Sequence, residues 1–299
     1  PDVIVDDGAD LVVLAHRELP QRGRILGSTE ETTTGIVRLR AMERDGTLRW
    51  PAIDVNDAAM KHLFDNRYGT GQSVLDGIFS ATNLLLAGRV AVVAGFGWCG
   101  KGVAARLRGL GADVIVTEID PVKAIEARLE GFRVMPMLDA ARQADLILTV
   151  TGNRDVVRTE HLKVIKDGCL LANAGHFDVE ISKPDLLGMA ESHRIVRPSV
   201  EEYRFGDGRR VYLLGDGRLI NLAAGQGHPV EIMDLSFALQ ALSAEHLVRH
   251  GRTLAVKVHA VPEALDRAVA EAALAPMGAG LDVLTPLQAR YMNSWEEGT

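Results

Sequence analysis

The sequence predicts an α/β fold, in which a doubly wound parallel sheet is accompanied by a second, incomplete α/β domain. Three observations predict it. Short apolar, β-branched runs alternate with segments of helical periodicity between residues 89 and 173. A glycine-rich turn follows the first of these runs. Polar residues come directly after several of the runs, where the carboxyl ends of parallel strands hold ligands.

The composition excludes several classes of protein. The chain has 299 residues, of which 47% are apolar, 24% are charged and two are cysteines, so neither a disordered chain nor a disulfide scaffold is expected. A net charge of −7 and few aromatic residues argue against nucleic-acid binding. No apolar run reaches the roughly 18 residues of a membrane span, and no export signal is evident. We therefore expect a cytoplasmic protein, and no metal site because H-E-x-x-H and C-x-x-C are absent from the sequence.

The chain begins with a predicted strand at Val3, Ile4 and Val5. A buried parallel strand has neighbours on both sides, so we expect residues upstream of Pro1 to belong to this fold. The alternative is an edge strand at a natural terminus.

The strongest local signal is a glycine turn between a strand and a helix. Residues 89–95 form an apolar run, and the sequence GFGWCG at 95–100 follows it with the pattern G-x-G-x-x-G. Residues 101–109 have helical periodicity. A second strand, predicted at 114–117, ends at Glu118, about 20 residues beyond the turn.

Each part of this pattern has a physical reason. Gly95 permits the tight turn, Gly97 lets the backbone approach a pyrophosphate, and Gly100 lets helix and strand pack closely. The N–H groups at the start of the helix bind the phosphates. Glu118 accepts hydrogen bonds from the ribose hydroxyls and repels a 2′-phosphate. The pattern predicts a Rossmann domain that binds NAD rather than NADP; the alternative is an incidental glycine turn.

The alternation continues after this unit, with strands predicted at 132–135, 145–150 and 170–173 and a helix at 138–143. Because strand and helix alternate, the sheet should be parallel, with its ligand at the carboxyl ends of the strands. The polar residues expected there, on the nicotinamide side of the crevice, are Thr151, Asn153, Asn173 and His176.

A hairpin is predicted at 210–222, turning at 215–217, and a long helix at 229–250. The apolar stripe of this helix consists of Ile232, Leu235, Leu239, Leu242 and Leu247. Three roles stay open for it, which are packing within the chain, an oligomer interface and a hinge between domains. His228 precedes the helix among glycines, which indicates backbone close to a bound group, although a lone histidine is usually structural.

Three segments are unusually polar, at 6–10, 30–35 and 56–69. In the third, Lys61 and Asp65 lie four residues apart, so on a helix they share a face and can pair. Taken one at a time, the first segment could be a turn, the second a capped helix start and the third a surface ion pair. Together, beside a dinucleotide site, they suggest a lysine that carboxylates tune as a general base.

At these residues the chain resembles the S-adenosylhomocysteine hydrolase (adenosylhomocysteinase) family over essentially its whole length. The strings that carry the resemblance are DDGADL (6–11), EETTTG (30–35), NDAAMKHLFDNRYGTGQS (56–73), VAVVAGFGWCGKG (90–102), TEIDPVKA (117–124), GHFDVEI (175–181) and GRLINLAAGQGHPVEIMDLSFA (217–238). The GFGWCGKG form and the end YMNSWEEGT (291–299) resemble archaeal and thermophilic-bacterial members.

The resemblance implies reversible hydrolysis of S-adenosyl-L-homocysteine to adenosine and L-homocysteine, with NAD as a catalyst that is not consumed. The ribose 3′-hydroxyl is oxidised, the 4′ proton is removed and homocysteine leaves by elimination. Water then adds to the enone, and the ketone is reduced back.

The resemblance also implies roles for individual residues. Lys61 would be the base at the 3′-hydroxyl, with Asp65 and Asn56 orienting it. Asp7 would transfer protons near C4′ and C5′, and His176 completes the implied catalytic set. The implied substrate-binding residues, of which the last three border the adenine, are Glu31, Lys61, Asp65, His176, His228, Met233 and Phe237. The implied cofactor-binding residues are Thr32, Thr33, Thr34, Asn66, Gly95, Gly97, Trp98, Cys99, Gly100, Lys101, Gly102, Glu118, Lys123, Thr151, Asn153, Ala174, Gly175, His176, Asn221 and His228.

Two positions depart from the family pattern. Thr70 stands where many relatives carry a cysteine, and Lys123 stands where many carry an asparagine. The family's N-terminal segment supplies a catalytic histidine and the threonine and glutamate that bind adenine and ribose, and no counterpart of it precedes Pro1.

These implications divide the chain into three parts. Residues 1–70 would form part of a substrate domain, 71–228 the NAD domain, and 229–299 C-terminal helices that return to the substrate domain or form an oligomer interface. The expected partners are small molecules, with neither nucleic acid nor membrane, and a homo-oligomer, dimer or tetramer. Two alternatives stay open: a non-catalytic protein that binds NAD or a nucleoside, and a 2-hydroxyacid dehydrogenase.

Overall fold

Two sheets form the framework of the chain, which a computed structural model describes for residues 1–18 and 25–296. Part of the C-terminal string 291–299 thus lies outside the described residues. The strands, in chain order, are β1 (Val3–Asp6), β2 (Gly27–Glu30), β3 (Ala52–Asp54), β4 (Val90–Ala94), β5 (Asp113–Thr117), β6 (Arg133–Val134), β7 (Leu146–Thr149), β8 (Cys169–Asn173), β9 (Ala190–Arg197), β10 (Val200–Phe205), β11 (Arg210–Leu214) and β12 (Val258–Ala260).

Helices cover and connect these strands. They are α1 (Asp10–Glu18), α2 (Thr33–Arg44), α3 (Ala59–Lys61), a π-helix (His62–Gly69), α4 (Thr70–Thr82), α5 (Trp98–Gly109), α6 (Pro121–Leu129), α7 (Met137–Ala141), α8 (Thr159–Leu162), α9 (Lys183–Met189), a 3₁₀ turn (Gly215–Gly217), α10 (Ile220–Ala223), α11 (Val230–His250), α12 (Glu263–Leu274) and α13 (Pro286–Met292). No helix in the described ranges is long and apolar enough to cross a membrane.

The smaller sheet has the order β1-β2-β3-β12 and is parallel throughout. β1 lies at the edge of this sheet among the described residues, and Val5 there is 54% exposed. α11 packs against β1 and β2, so the apolar stripe of this helix serves packing. Leu235, Leu239 and Leu247 of that stripe are buried.

The larger sheet confirms the predicted parallel, doubly wound architecture. β6, β5, β4, β7, β8 and β11 run parallel in that spatial order, and helices lie between successive strands. The sheet also has an antiparallel extension that the sequence did not predict, in which β10 pairs with β11 and β9 pairs with β10. The side chains of β9 are largely exposed, so its pattern lacks the apolar alternation that signals a half-buried strand.

The predicted hairpin at 210–222 is wrong. Both edges of β11 are already occupied, by β8 in parallel and by β10 in antiparallel orientation. After a 3₁₀ turn in which Asp216 is left-handed (φ 57°), the chain passes beside Asn173 at Leu219 and enters α10. The true hairpin lies one strand earlier and joins β10 to β11.

Glycines allow the helices between the two sheets to pack closely. A Cβ atom at Gly102 of α5 would lie 1.8 Å from the carbonyl oxygen of Arg67 in the π-helix. A Cβ atom at Gly71 would lie 2.7 Å from the carbonyl oxygen of Gly102. Backbone therefore touches backbone where the glycine-turn helix meets the segment that carries Lys61.

We predict that Gly102→Ala lowers the free energy of unfolding by about 2–3 kcal/mol, because the new methyl group forces the two helices apart. Urea denaturation of both proteins measures the difference. Gly109→Ala in the same helix is the control, since its added Cβ atom has no neighbour within 4 Å in the part of the chain that the structure describes. Equal stability of the two variants would contradict the prediction.

Candidate functional site

The centre of the site is the ammonium group of Lys61, whose residue is only 4% exposed. Its Nζ atom lies 2.7 Å from Oδ1 of Asn66, 3.4 Å from Oδ1 of Asp65 and 3.6 Å from Oε1 of Glu31. Asn56 accepts from Asn66 at 3.1 Å and from Lys61 at 3.5 Å. The structure thus brings together the predicted base and the residues expected to tune it.

The π-helix explains why two neighbouring residues reach the same ammonium group. Lys61 and Asn66 are five residues apart, the interval that a π-helix closes by hydrogen bonding. Asp65, four residues from Lys61, also contacts it. The predicted pairing of Lys61 with Asp65 is confirmed, whereas the regular α-helical path through them is wrong because the turn is wider.

The charges at this centre are strongly coupled. Burial alone would lower the pKa of Lys61, but the carboxylates of Asp65 and Glu31 outweigh it and raise that pKa. Burial also opposes ionisation of Asp65, yet its contacts with His228 and Lys61 lower its pKa overall. Burial raises the pKa of Glu31, an effect that Lys61 and Gln240 oppose. Lys61 is therefore an ammonium ion at neutral pH in this structure.

His228 closes one side of the cluster. Its Nδ1 atom lies 3.4 Å from Oδ1 of Asp65, and its Nε2 atom lies 3.4 Å from the hydroxyl of Thr70. The Thr70 hydroxyl also lies 3.6 Å from the thiol of Cys99, at the start of α5. Burial raises the pKa of that thiol. The predicted substrate residue and the predicted cofactor residue are thus linked through Thr70.

Asp7 and His176 meet across the two sheets. Asp7 follows β1 and its side chain is 64% exposed, whereas His176 follows β8 in the larger sheet. His176 Nδ1 lies 3.7 Å from Asp7 Oδ1, and a Cβ atom at Gly8 would lie 2.5 Å from His176 Nε2. The carboxyl ends of both sheets therefore face a common crevice.

Two buried glutamates, Glu30 and Glu180, hold the loops around this crevice. Neither was predicted from the sequence as a site residue. Glu30 accepts hydrogen bonds from the N–H groups of Gly8, Ala9 and Thr32 at 2.8, 2.9 and 3.0 Å. Burial raises the pKa of Glu30 to about 7, against the opposing effect of these hydrogen bonds. The carboxylate therefore joins the loop after β1 to the loop after β2.

Glu180 has the corresponding position beside the larger sheet. It accepts from the N–H and the hydroxyl of Thr151, at 3.0 and 2.7 Å, and from the N–H of Gly152 at 2.7 Å. Burial raises its pKa, while these hydrogen bonds oppose the rise. Glu180 lies within the GHFDVEI string, which was the one available sequence signal for it.

The glycine turn fits a dinucleotide. Gly95 has φ 103°, and a Cβ atom at Gly100 would lie 2.0 Å from the carbonyl oxygen of Gly95. No atom of residues 1–18 and 25–296 lies within 4 Å of a Cβ atom at Gly97, which leaves open space beside the first turn of α5. Among the described residues no side chain caps this helix, so its first N–H groups are available to phosphate oxygens. Glu118 accepts from Phe96 N–H at 2.7 Å, which holds its carboxylate beside the turn.

The threonines after β2 reach towards both sheets. The Thr33 hydroxyl accepts from Asn56 Nδ2 at 3.0 Å. The Thr34 hydroxyl lies 3.6 Å from where a Cβ atom at Gly152 would be, at the carboxyl end of the larger sheet. Asn221, in α10, has a buried Oδ1 atom without a hydrogen-bond partner among the described residues, which suits a donor on a bound ligand.

Other predicted residues lie farther from this centre. Asn153 is exposed, and its side chain accepts from the N–H of Arg154 at 2.9 Å. Lys101 pairs with Glu126 at 2.6 Å, and its ammonium group lies over the ring of Trp98. Lys123 in α6 is half-exposed, and Ala174 and Gly175, which follow β8, are buried. In α11, Met233 is half-buried and Phe237 is 59% exposed.

Comparison with known proteins gives a consistent result. A family model described as "S-adenosyl-L-homocysteine hydrolase, NAD binding domain" matches residues 66–227. Proteins named adenosylhomocysteinase from Thermosynechococcus vestitus and Aquifex aeolicus are each 58% identical over the whole chain, which covers 70% and 72% of their lengths. A protein from Methanopyrus kandleri named S-inosyl-L-homocysteine hydrolase is 59% identical, with 71% of its length covered.

One solved structure agrees in fold alone. The A chain of dipicolinate synthase from Bacillus subtilis is 10% identical, with a TM-score of 0.50 over 75% of this chain and 65% of that one.

We predict that Asp65→Asn lowers the pKa of Lys61 by about one to three pH units, because one of the two carboxylates that hold its proton is removed. An NMR titration of the Lys61 side chain in both proteins measures the change. Asp76→Asn, which neutralises an exposed carboxylate of α4, is the control. An unchanged Lys61 titration in Asp65→Asn would show that this ion pair does not govern the lysine.

Proposed function

Because the chain belongs to the S-adenosyl-L-homocysteine hydrolase family, we propose that it hydrolyses S-adenosylhomocysteine to adenosine and homocysteine. The observation that carries this proposal is the buried cluster of Lys61, Asp65, Asn66 and Glu31 in a chain 58% identical to two adenosylhomocysteinases. The rest of the proposal assigns each residue a part in that reaction.

NAD would supply a hydride acceptor at the ribose 3′-carbon and return the hydride at the end of the cycle. We propose that the turn at 95–102 and the start of α5 hold its pyrophosphate, and that Glu118 accepts from its ribose hydroxyls. Thr32, Thr33 and Thr34 would lie on its nicotinamide side, since Thr34 already approaches Gly152 there. The buried Asn221 amide would provide a further contact.

Lys61 would take the proton of the 3′-hydroxyl, for which it must first lose its own. We propose that ribose hydroxyls bind Glu31, whose Oε1 atom is buried without a hydrogen-bond partner among the described residues. Glu31 is one of the two carboxylates that raise the pKa of Lys61, so its engagement by substrate favours the neutral amine. Asp65 and Asn56 would keep the amine aimed at the reacting hydroxyl.

Asp7 and His176 would serve the second half of the reaction. Their 3.7 Å contact joins the loops after β8 and β1, and the Asp7 side chain is 64% exposed. We propose that this pair moves protons near C4′ and C5′ during elimination and water addition. Closure of the segments 1–70 and 71–228 on each other would exclude water from the ketone.

His228, Met233 and Phe237 would border the base, since the exposed ring of Phe237 lies on the same helix, one turn beyond Met233. We also propose a cytoplasmic homo-oligomer, a dimer or tetramer. The exposed apolar side chains near the C-terminus, which a second copy would cover, are Met277, Leu281, Val283, Leu284, Leu287, Met292 and Trp295.

Thiol release tests the proposed function. The purified protein, loaded with NAD, is mixed with S-adenosylhomocysteine or S-inosylhomocysteine, and homocysteine is followed with a thiol reagent. Release over many turnovers without accumulation of NADH supports the proposal, and the faster substrate identifies the base. Net production of NADH would instead indicate a dehydrogenase, and no release from either substrate would contradict hydrolysis.

We predict that Lys61→Ala lowers kcat by about 10²- to 10⁴-fold while the protein keeps its bound NAD, because the base is lost and the turn at 95–102 is intact. Thiol release and the NAD content after gel filtration are the two measurements. Lys163→Ala, at an exposed position, is the matched control. Full activity of Lys61→Ala would show that another residue is the base.

A further inference from the structure

Three buried carboxylates lie side by side at the carboxyl edge of the smaller sheet. Asp6, Glu30 and Asp54 are the last residues of β1, β2 and β3, and the strand register places them opposite one another. They are 6%, 0% and 1% exposed. The loop after each strand carries residues of the proposed site, so this row lies directly behind them.

Glu30, in the middle of the row, differs from its neighbours because it bonds to two loops at once. Its Oε1 atom accepts from the N–H groups of Gly8 and Thr32, and its Oε2 atom accepts from the N–H of Ala9. The first loop carries Asp7, and the second leads into the threonines of the proposed cofactor site.

The loop after β1 has a backbone that requires such support. Gly8 has φ 101° and Ala9 has φ 60°, a left-handed conformation that costs about 1 kcal/mol or more for a residue with a side chain. Both N–H groups of this strained pair are bound by the Glu30 carboxylate. Without that acceptor, the loop that places Asp7 beside His176 would lose both of these hydrogen bonds.

We propose that Glu30 is a positioning residue that sets the Asp7 loop and the start of the threonine segment together, so that substrate chemistry and NAD retention depend on one ionised carboxylate. This inference rests on the proposed function for the roles of Asp7 and the threonines. The hydrogen bonds of Glu30 are all to backbone groups, so it acts through other residues.

The surroundings of Glu30 make its charge sensitive to pH. The charges of Asp6 and Asp7, from the first strand and its loop, raise the pKa of Glu30 further, and Asp54 of the next strand lies opposite Glu30 in the sheet. Arg38 of α2 donates to the carbonyl of Gly8, on the same loop. With a pKa raised to about 7, Glu30 gains a proton as pH falls through neutrality, and a protonated oxygen no longer accepts freely.

The test compares Glu30→Gln with the wild-type protein, both loaded with NAD. In the variant, an amide NH₂ must face a backbone N–H group in place of a carboxylate oxygen. We expect the variant to release NAD at least tenfold faster than the wild-type protein. We expect adenosine to reduce its bound NAD at least tenfold more slowly. Release from the wild-type protein should quicken from pH 8 to pH 6, whereas release from the variant should be fast at both. A merely structural residue would lower the melting temperature without that loss of pH dependence.

Gly35→Ala provides a second route to the same carboxylate without changing its charge. A Cβ atom there would lie 2.2–2.5 Å from the carboxyl atoms of Glu30 and displace them, so the same two rates should change in the same directions. Gly188→Ala is the control and should change neither rate, because no described residue lies within 4 Å of its added Cβ atom.

The outcomes separate this inference from the proposed function. If either folded variant keeps wild-type rates of NAD release and NAD reduction, the positioning role is overturned; if Glu30→Gln does not fold, Gly35→Ala alone decides. Because neither rate requires thiol release, a wild-type protein that reduces NAD but liberates no homocysteine would refute hydrolysis and still test Glu30.

Discussion

The site depends on one constraint, which is that the buried ammonium group of Lys61 must be compensated by charge. An unpaired charge so deeply buried would cost several kcal/mol. Asp65 and Glu31 provide the compensation from two different segments, and Asn56 and Asn66 satisfy remaining hydrogen bonds. The same carboxylates that stabilise the lysine in the fold also raise its pKa and keep it protonated.

A second constraint is the packing of backbone against backbone between the sheets. Gly102 lets α5 approach the π-helix, and Gly71 lets α4 approach α5, without side chains between them. The glycine turn that suits a pyrophosphate is thereby fixed close to Lys61. Across the crevice, Asp7 and His176 meet from opposite sheets, so both halves of the structure contribute to the candidate site.

Much of this could be predicted from local sequence. The run ending at Gly95 and the position of Glu118 predicted the dinucleotide unit, because strand, turn and helix each leave a periodic signal within a few residues. Pairing of Lys61 with Asp65 followed from their spacing alone. The hairpin after β11 was misplaced because turn residues at 215–217 indicate a reversal without indicating which strand edges are free.

The sequence by itself determined the larger parallel sheet, the glycine turn and the family, because these depend on short-range patterns and long identical strings. Only the tertiary structure decided the π-helical path that brings Asn66 to Lys61. It also decided that the carboxylates of Glu30 and Glu180 accept hydrogen bonds from backbone N–H groups of distant loops. A carboxylate that binds backbone N–H groups of a distant loop leaves no periodic mark in the sequence. The N–H groups that such a carboxylate binds depend on the strand register and on the close approach that glycines allow. Both are set only when the sheets pack.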